Sequence, residues 1–302
     1  MRINDGNGQI NVKYNRMQKQ IFKMIEKIFH TAALILLFES GSLYSNAQEI
    51  TKQNAATQDS LYTNGIGMKF ILIKPGSMIV GKFQPTVFKT SQTPDSVYKV
   101  ALEMAKHDAM PGFKVTIKDA YYIGQFEVTQ EQWEKIMGTN PSYFKAGKVK
   151  DDAVRHPVEN VSWYDAQQFI KKLNESEKGK AVYRLPSEFE WEYAARAGAT
   201  DDITWNEIRK TAVIATNTTS MVGKKQPNAW GLYDMLGNVW EWVEDFYNEK
   251  IFADPIPPKK GKEHVLKGAP FYGDVKNATY MTHAAGPGSK YDVGFRIVME
   301  IK

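Results

Sequence analysis

Cysteine is absent from all 302 residues, and no other count constrains the chain as much. Without it there can be no disulfide, thiolate nucleophile, thiolate-held zinc or copper, iron–sulfur cluster, or lipid attached at an N-terminal cysteine. An exported protein of this composition holds its fold by packing, alone or helped by a metal. Histidine is scarce as well, and the five residues (His30, His107, His156, His264 and His283) stand singly. Nothing in their spacing supports a two-histidine-plus-carboxylate iron site, and His156 before Pro157 reads as a hydrogen-bonded structural residue. No Gly-x-Ser-x-Gly elbow, phosphate loop or dinucleotide fingerprint occurs. No apolar run reaches the roughly 20 residues that a bilayer-spanning helix needs.

Charge of either sign is also nearly absent as a net quantity. The formal value is +5, from 39 Lys/Arg against 34 Asp/Glu, but residues 1–47 alone hold six basic and three acidic residues. The remainder carries 33 and 31, without a basic stripe, so no nucleic-acid partner is expected. What is present is an apolar fraction of 42% with 24% charged residues, which fits a globular protein with a sizeable core.

Taken in order, the chain divides into three parts. Residues 1–47 read as an N-terminal extension with a signal peptide over 24–47. Lys27 flanks an apolar stretch from Thr31 to Phe38, and Ser45-Asn46-Ala47 gives a small-x-small cleavage site. Residues 48–65 form a polar linker rich in Gln, Thr, Asn and Ser. Residues 66–302 form the folded domain. Within it, Met68–Lys74 and Ser77–Gly81 read as a β-hairpin-like pair around Pro75-Gly76. A helix is expected over Ser96–His107, and Phe113–Val128 alternates as one or two strands. Three helices have clear starts, each with an acceptor side chain followed by Gln, Asp or Glu three residues on. These are Thr129 with Gln132, Ser162 with Asp165, and Ser187 with Glu190. Trp133, Phe169 and Trp191 fall on their core faces. Beyond Ile203 only short strands and turns are expected. Helices in the middle with short strands around them, and no βαβ alternation, indicate α+β.

Residues 225–245, KQPNAWGLYDMLGNVWEWVED, hold three of the seven tryptophans among glycines and acids. Bulky aromatics beside obligatory turns indicate a buried crossroads, where carboxylates need a metal, an arginine or backbone N–H groups as partners. Further motifs stand in a fixed order: Gly124–Thr129, Asn140–Phe144, His156–Trp163, Tyr183–Glu188, Trp191–Arg196 and Gly294-Phe295-Arg296. Together with Gly231–Trp242 they resemble the formylglycine-generating enzyme (sulfatase-modifying factor) domain family, over the whole presumed mature domain. The resemblance implies a C-type-lectin-like α+β fold rich in irregular structure, often with bound calcium.

The enzymes of that family hold copper with two cysteines after a Gly-Gly-Ser-aromatic turn. The corresponding turn here is Gly268-Ala269-Pro270-Phe271, and the cysteine positions fall at about Gly273 and Ala278. No copper is therefore expected, and oxidation of a cysteine to formylglycine by that mechanism is not available. Asp234, Glu241 and the carbonyls of Gly237 and Val239 match the family's calcium-binding positions; calcium takes about six to eight oxygens. The alternative is that Asp234 caps a turn and Glu241 pairs with Arg184, Arg196 or Arg296. Phe271, Tyr272, Asp274, Asn277, Tyr280 and His283 replace the enzyme's catalytic strand, with a composition suited to a binding groove. The resulting expectation is an exported protein, periplasmic, surface-bound or secreted and not a lipoprotein, without a transmembrane anchor. It would act by binding or scaffolding a protein, peptide or glycan of the cell envelope. The alternative is an enzyme of different chemistry on the same scaffold, of a periplasmic oxidative or non-haem-iron type, with Tyr272 and Asp274 as an acid–base pair.

Overall fold

The computed structural model describes residues 61–83, 89–108, 110–252, 255–274, 278–286 and 290–301. The expected signal peptide and residues 48–60 of the expected linker lie outside the described residues. The last part of that linker is folded, because Leu61–Thr63 form β1.

Eleven strands and five α-helices follow one another among the described residues. The strands are β1 (Leu61–Thr63), β2 (Lys69–Ile73), β3 (Gly76–Phe83), β4 (Met110–Ile117), β5 (Tyr121–Gly124), β6 (Val182–Arg184), β7 (Trp240–Phe246), β8 (His264–Gly268), β9 (His283–Gly286), β10 (Val293–Phe295) and β11 (Val298–Glu300). The helices are α1 (Asp95–Asp108), α2 (Gln130–Met137), α3 (Trp163–Ser176), α4 (Glu188–Arg196) and α5 (Trp205–Thr211). Strands combine into a five-stranded sheet β1-β2-β5-β11-β6, a four-stranded sheet β10-β7-β8-β9 and a ribbon β3-β4. No described helix is long and apolar enough to cross a membrane.

The three expected helices start where their capping signals stand. Thr129, Ser162 and Ser187 each accept from the N3 backbone N–H while the N3 side chain returns to the cap, so two of the otherwise orphaned donors are satisfied at each start. The fourth such box, Thr204 with Glu207, opens α5 and corrects the expectation of strands and turns alone beyond Ile203.

The β2–β3 hairpin does not form. β2 pairs with β1 and β5, whereas β3 pairs with β4. Pro75 supplies a bend, and Gly76 is not in the left-handed region that a tight hairpin turn requires. Gly76 is instead a packing residue, since an added Cβ would lie 2.1 Å from the Tyr193 hydroxyl. β2–β3 and β4–β5 thus run as two bent arms, each contributing to two sheets.

Two large cores result. Trp133 stacks on Phe169 at 5.5 Å between α2 and α3, with Phe295 against both rings. The other core gathers around the fully buried Trp191 of α4, with Val80, Val243, Val265 and Val298. Trp191 also touches two buried ionic clusters, donating to Glu241 through Nε1 and lying under Lys267 Nζ.

Candidate functional site

The 231–239 turn leads into β7 through four left-handed residues, Gly231, Asp234, Gly237 and Asn238. Glycine is obligatory at 237, where an added Cβ would lie 2.3 Å from the Val213 carbonyl. The Asn228 side chain fixes the start of the turn by accepting from Trp230 and Leu232 N–H and donating to the Ala194 carbonyl. The turn delivers Asp234 and Glu241 into the interior, both 1% exposed.

There Glu241 meets Arg296, which follows β10. The guanidinium donates through Nε to Oε2 and through Nη2 to Oε1, each at 2.6 Å, and Trp191 Nε1 donates to Oε2 at 2.6 Å. Arg296 also donates to the carbonyls of Gly124 and Tyr233. Glu127 completes the cluster, accepting from Asn238 Nδ2 and Val239 N–H. Asp234 accepts from Gly223 N–H through Oδ2, while Oδ1 is buried without a partner. Burial above all, then the neighbouring carboxylates, pushes the Glu127 carboxyl well above its ordinary range. Burial likewise raises Asp234 to about 6, with the Glu241 charge adding to it against Gly223 N–H and Arg296.

Three buried carboxylates thus face one guanidinium. Whether calcium fits is decided by what these oxygens have left to give. Asp234 Oδ1 is free, and Glu241 Oε1 holds one N–H and retains a lone pair. The carbonyls of Gly237 and Val239 lie on the same turn. Among the described residues no three His, Asp or Glu side chains stand as a ready metal cage, so an ion here would rest on main-chain carbonyls and water as much as on carboxylates. The excess negative charge and the orphaned oxygen fit such a cation.

On the other side of Trp191 lies a second cluster. Lys267 is the cross-strand partner of Glu241 and is fully buried. Its Nζ sits 5.5 Å over the Trp191 ring, donates to Glu192 Oε2 at 3.2 Å and to the Tyr280 carbonyl, and lies 3.9 Å from Glu188 Oε1. Arg196 donates to Glu192 Oε1. His283 Nδ1 stands 3.2 Å from Glu188 Oε1.

Five of the six groove candidates fall among the described residues, in three environments. Phe271 is buried against Phe144 at 5.1 Å, with Tyr272 exposed beside it and Asp274 exposed further on. Tyr280 is buried in the Trp191 core with Arg196 over its ring at 5.2 Å. His283 lies half-buried on β9 between Tyr247 and Phe252. Asn277 lies outside the described residues. The acid that meets Tyr272 is Asp292, not Asp274: the hydroxyl donates to Asp292 Oδ2 at 2.5 Å. His156 is structural, bonded to Thr219 and Asp151.

Tyr143 and Tyr291 join Tyr272 on the surface, with Tyr291 centroids 6.0 and 6.5 Å from the other two rings. Phe144 and Phe271 form their floor. Beneath lies Glu159, fully buried, whose Oε1 accepts from Phe144 N–H at 2.7 Å and whose Oε2 has no partner. Burial raises its carboxyl to about 7 against the N–H groups of Phe144 and Tyr143, and the Asp292 charge adds to the rise. Sequence reasoning missed this grouping of Tyr143, Glu159, Tyr291 and Asp292. Tyr143 and Glu159 stand inside the quoted motifs, but nothing local joins them to 291–292.

Comparison with known proteins agrees with this architecture. Residues 62–301 match the family model described as a sulfatase-modifying factor enzyme 1-like domain. The chain is 30% identical to chaperone protein LppX of Paenibacillus barcinonensis, covering 61% of this chain and 81% of the relative. It is 35% identical to the formylglycine-generating enzyme of Streptomyces coelicolor, over 38% of this chain and 42% of that one, so the match spans less than half of the enzyme. Among solved structures, Treponema denticola variable protein 1 superposes with a TM-score of 0.60 at 28% identity, covering 79% of this chain and 97% of that one. The α+β fold is that of formylglycine-generating-enzyme-like proteins, and the chain belongs to the sulfatase-modifying factor enzyme 1-like domain family.

Proposed function

We propose that this family member is a non-catalytic binding or scaffolding protein of the cell envelope, exported from the cell and stabilised by a calcium ion at the Asp234–Glu241 turn. One observation carries the reading: both positions at which the family's enzymes hold copper lack a metal-binding side chain. Gly273 closes a turn onto the Pro270 carbonyl, and Ala278 is completely buried. Beside Gly273 the chain presents an exposed tyrosine face, a composition that suits recognition. The name of the LppX relative, a chaperone, points the same way, toward holding another molecule. Calcium would be held by Asp234, Glu241 and the carbonyls of Gly237 and Val239, where it would offset the excess of buried carboxylates.

The test is affinity capture from native envelope with the wild-type chain and with Tyr291→Leu, paired with an oxidase assay. Retention of a partner that the variant loses, together with no formylglycine formed from a cysteine-containing sulfatase peptide in the presence of copper, is the expected result. Formylglycine production would overturn the reading, as would capture indifferent to the tyrosine face.

A further inference from the structure

Resting on that binding reading, we infer that the face formed by Tyr143, Tyr272 and Tyr291 is a receptor for a lysine or arginine side chain of a polypeptide partner. The three rings are 51%, 51% and 48% exposed, and clustered exposed aromatics are a feature of interaction surfaces. They are not coplanar. Tyr291 is tilted by 50° against Tyr143 and by 48° against Tyr272, so the rings make inclined walls rather than a flat stacking platform.

The electrostatics select the occupant. Tyr272 donates its hydroxyl hydrogen to Asp292, a 5%-exposed carboxylate whose Oδ1 has no partner. A phenol bonded to a carboxylate has a more electron-rich ring and no hydrogen left to offer a sugar hydroxyl. Glu159 adds a second buried carboxyl beneath the rings, which gains its charge as pH passes about 7. A cation meets ring faces backed by negative charge, the arrangement that stabilises cation–π contact. The chain itself supplies an instance, with Lys148 Nζ 5.0 Å over the Tyr143 ring. Among the described residues no lysine or arginine is so placed over Tyr272 or Tyr291, and those two faces remain for a partner.

The decisive measurement is fluorescence anisotropy at low ionic strength with labelled short peptides alternating glycine with lysine, glutamine or glutamate. The lysine peptide is expected to bind best. Tyr272→Leu and Tyr291→Leu should each weaken it by about fivefold, the loss of one exposed cation–π contact. Tyr272→Phe keeps the ring but loses Asp292, and should fall between. Near-ultraviolet circular dichroism checks that each variant is folded, and Tyr291, half-exposed, is the safest of them. Equal binding of the glutamine peptide, or leucine variants with unchanged affinity, overturns the assignment. So does binding of a neutral oligosaccharide that Tyr291→Leu abolishes, which would give the face to glycans. If envelope capture depends on Tyr291 while the lysine peptide does not bind, this inference fails and the binding reading stands. If neither occurs, both fail.

Discussion

Trp191 separates two buried ionic clusters that solve the same problem in different ways. Toward β8, Glu188 and Glu192 face Lys267 and Arg196, two acids against two bases. Toward the 231–239 turn, Glu127, Asp234 and Glu241 face one buried base, Arg296, with the part-exposed Lys225 a weaker influence on Asp234. A balanced cluster is self-sufficient once folded, because each charge leaves water only to meet its opposite. The unbalanced one must take up something positive, and the choices are protons or a metal ion. Raised carboxyl pKa values at Glu127 and Asp234 are the signature of the proton solution. The calcium proposal is the other solution for the same excess charge.

The severest way to break the comparison is to remove the base from each side. Arg296→Met strips the unbalanced cluster of its guanidinium and leaves Glu241 with the Trp191 N–H alone. Loss of about 3–5 kcal/mol is expected, toward the upper end, since breaking a buried pair leaves an uncompensated charge. Lys267→Met should cost less than Arg296→Met, because Arg196 still bonds Glu192. Urea denaturation of the two variants ranks them, and a Lys267 variant weaker than the Arg296 variant would contradict the account.

Next in size is the pH dependence. Burial raises Glu159 from 4.5 to about 7 and Asp234 from 3.8 to about 6. A carboxyl raised in the folded state keeps its proton after the unfolded chain has lost it. Its stabilisation is complete below the unfolded value and is lost as pH rises through the folded one. Stability of the metal-free chain should therefore fall from about pH 4 to pH 7, by up to about 3 kcal/mol for Glu159. Glu159→Gln should flatten the upper part of that slope in chemical denaturation at stepped pH. An unchanged slope would mean that Glu159 titrates normally.

Calcium gives a smaller effect. At tenfold over its dissociation constant an ion adds about 1.4 kcal/mol, or roughly 3–5 °C for a domain of this size. The melting temperature should drop by that amount on chelation at neutral pH, and Asp234→Ala should abolish the response. If chelator leaves the melting curve of the wild type in place, the calcium proposal is wrong.

How much of this was legible in the sequence follows the range of each interaction. The capping boxes of α2, α3 and α4 use residues three apart, and all three were readable. The box of α5 is equally local, but the seven-residue helix it opens buries only Ile208 and so carries little periodic signal. Strand partnership was not local: β3 pairs with β4, about thirty residues on, and not with the adjacent β2. The acids of the turn were visible, and Arg296 stood among the named partners for Glu241. Glu127 was not, because its tie to the turn spans 111 residues to Asn238. Family motifs carried the site where spacing was silent, and they carried least across residues 271–283, where the chain departs from the enzymes. There the tyrosine face draws on the segments around 143, 272 and 291, which no periodicity connects.

The smallest effect is the most discriminating. Glu127 accepts two bonds, from Asn238 Nδ2 and Val239 N–H, and a glutamine could keep one through its carbonyl while its amide N–H2 meets the other donor or rotates away. In a balanced cluster such a change is costly, and Glu192→Gln should lose about 3 kcal/mol by leaving two bases with half their partner. In the unbalanced cluster the same chemistry removes surplus charge, so Glu127→Gln should move stability by less than about 1 kcal/mol, the range of one neutral hydrogen bond. Without calcium the variant should also lose part of its dependence on pH, since the proton it would have taken up is no longer needed. With calcium its affinity for the ion should fall slightly, because one of three nearby negative charges is gone. Glu127→Gln as damaging as Glu192→Gln would mean that both clusters are balanced in the folded protein, and the contrast across Trp191 would disappear.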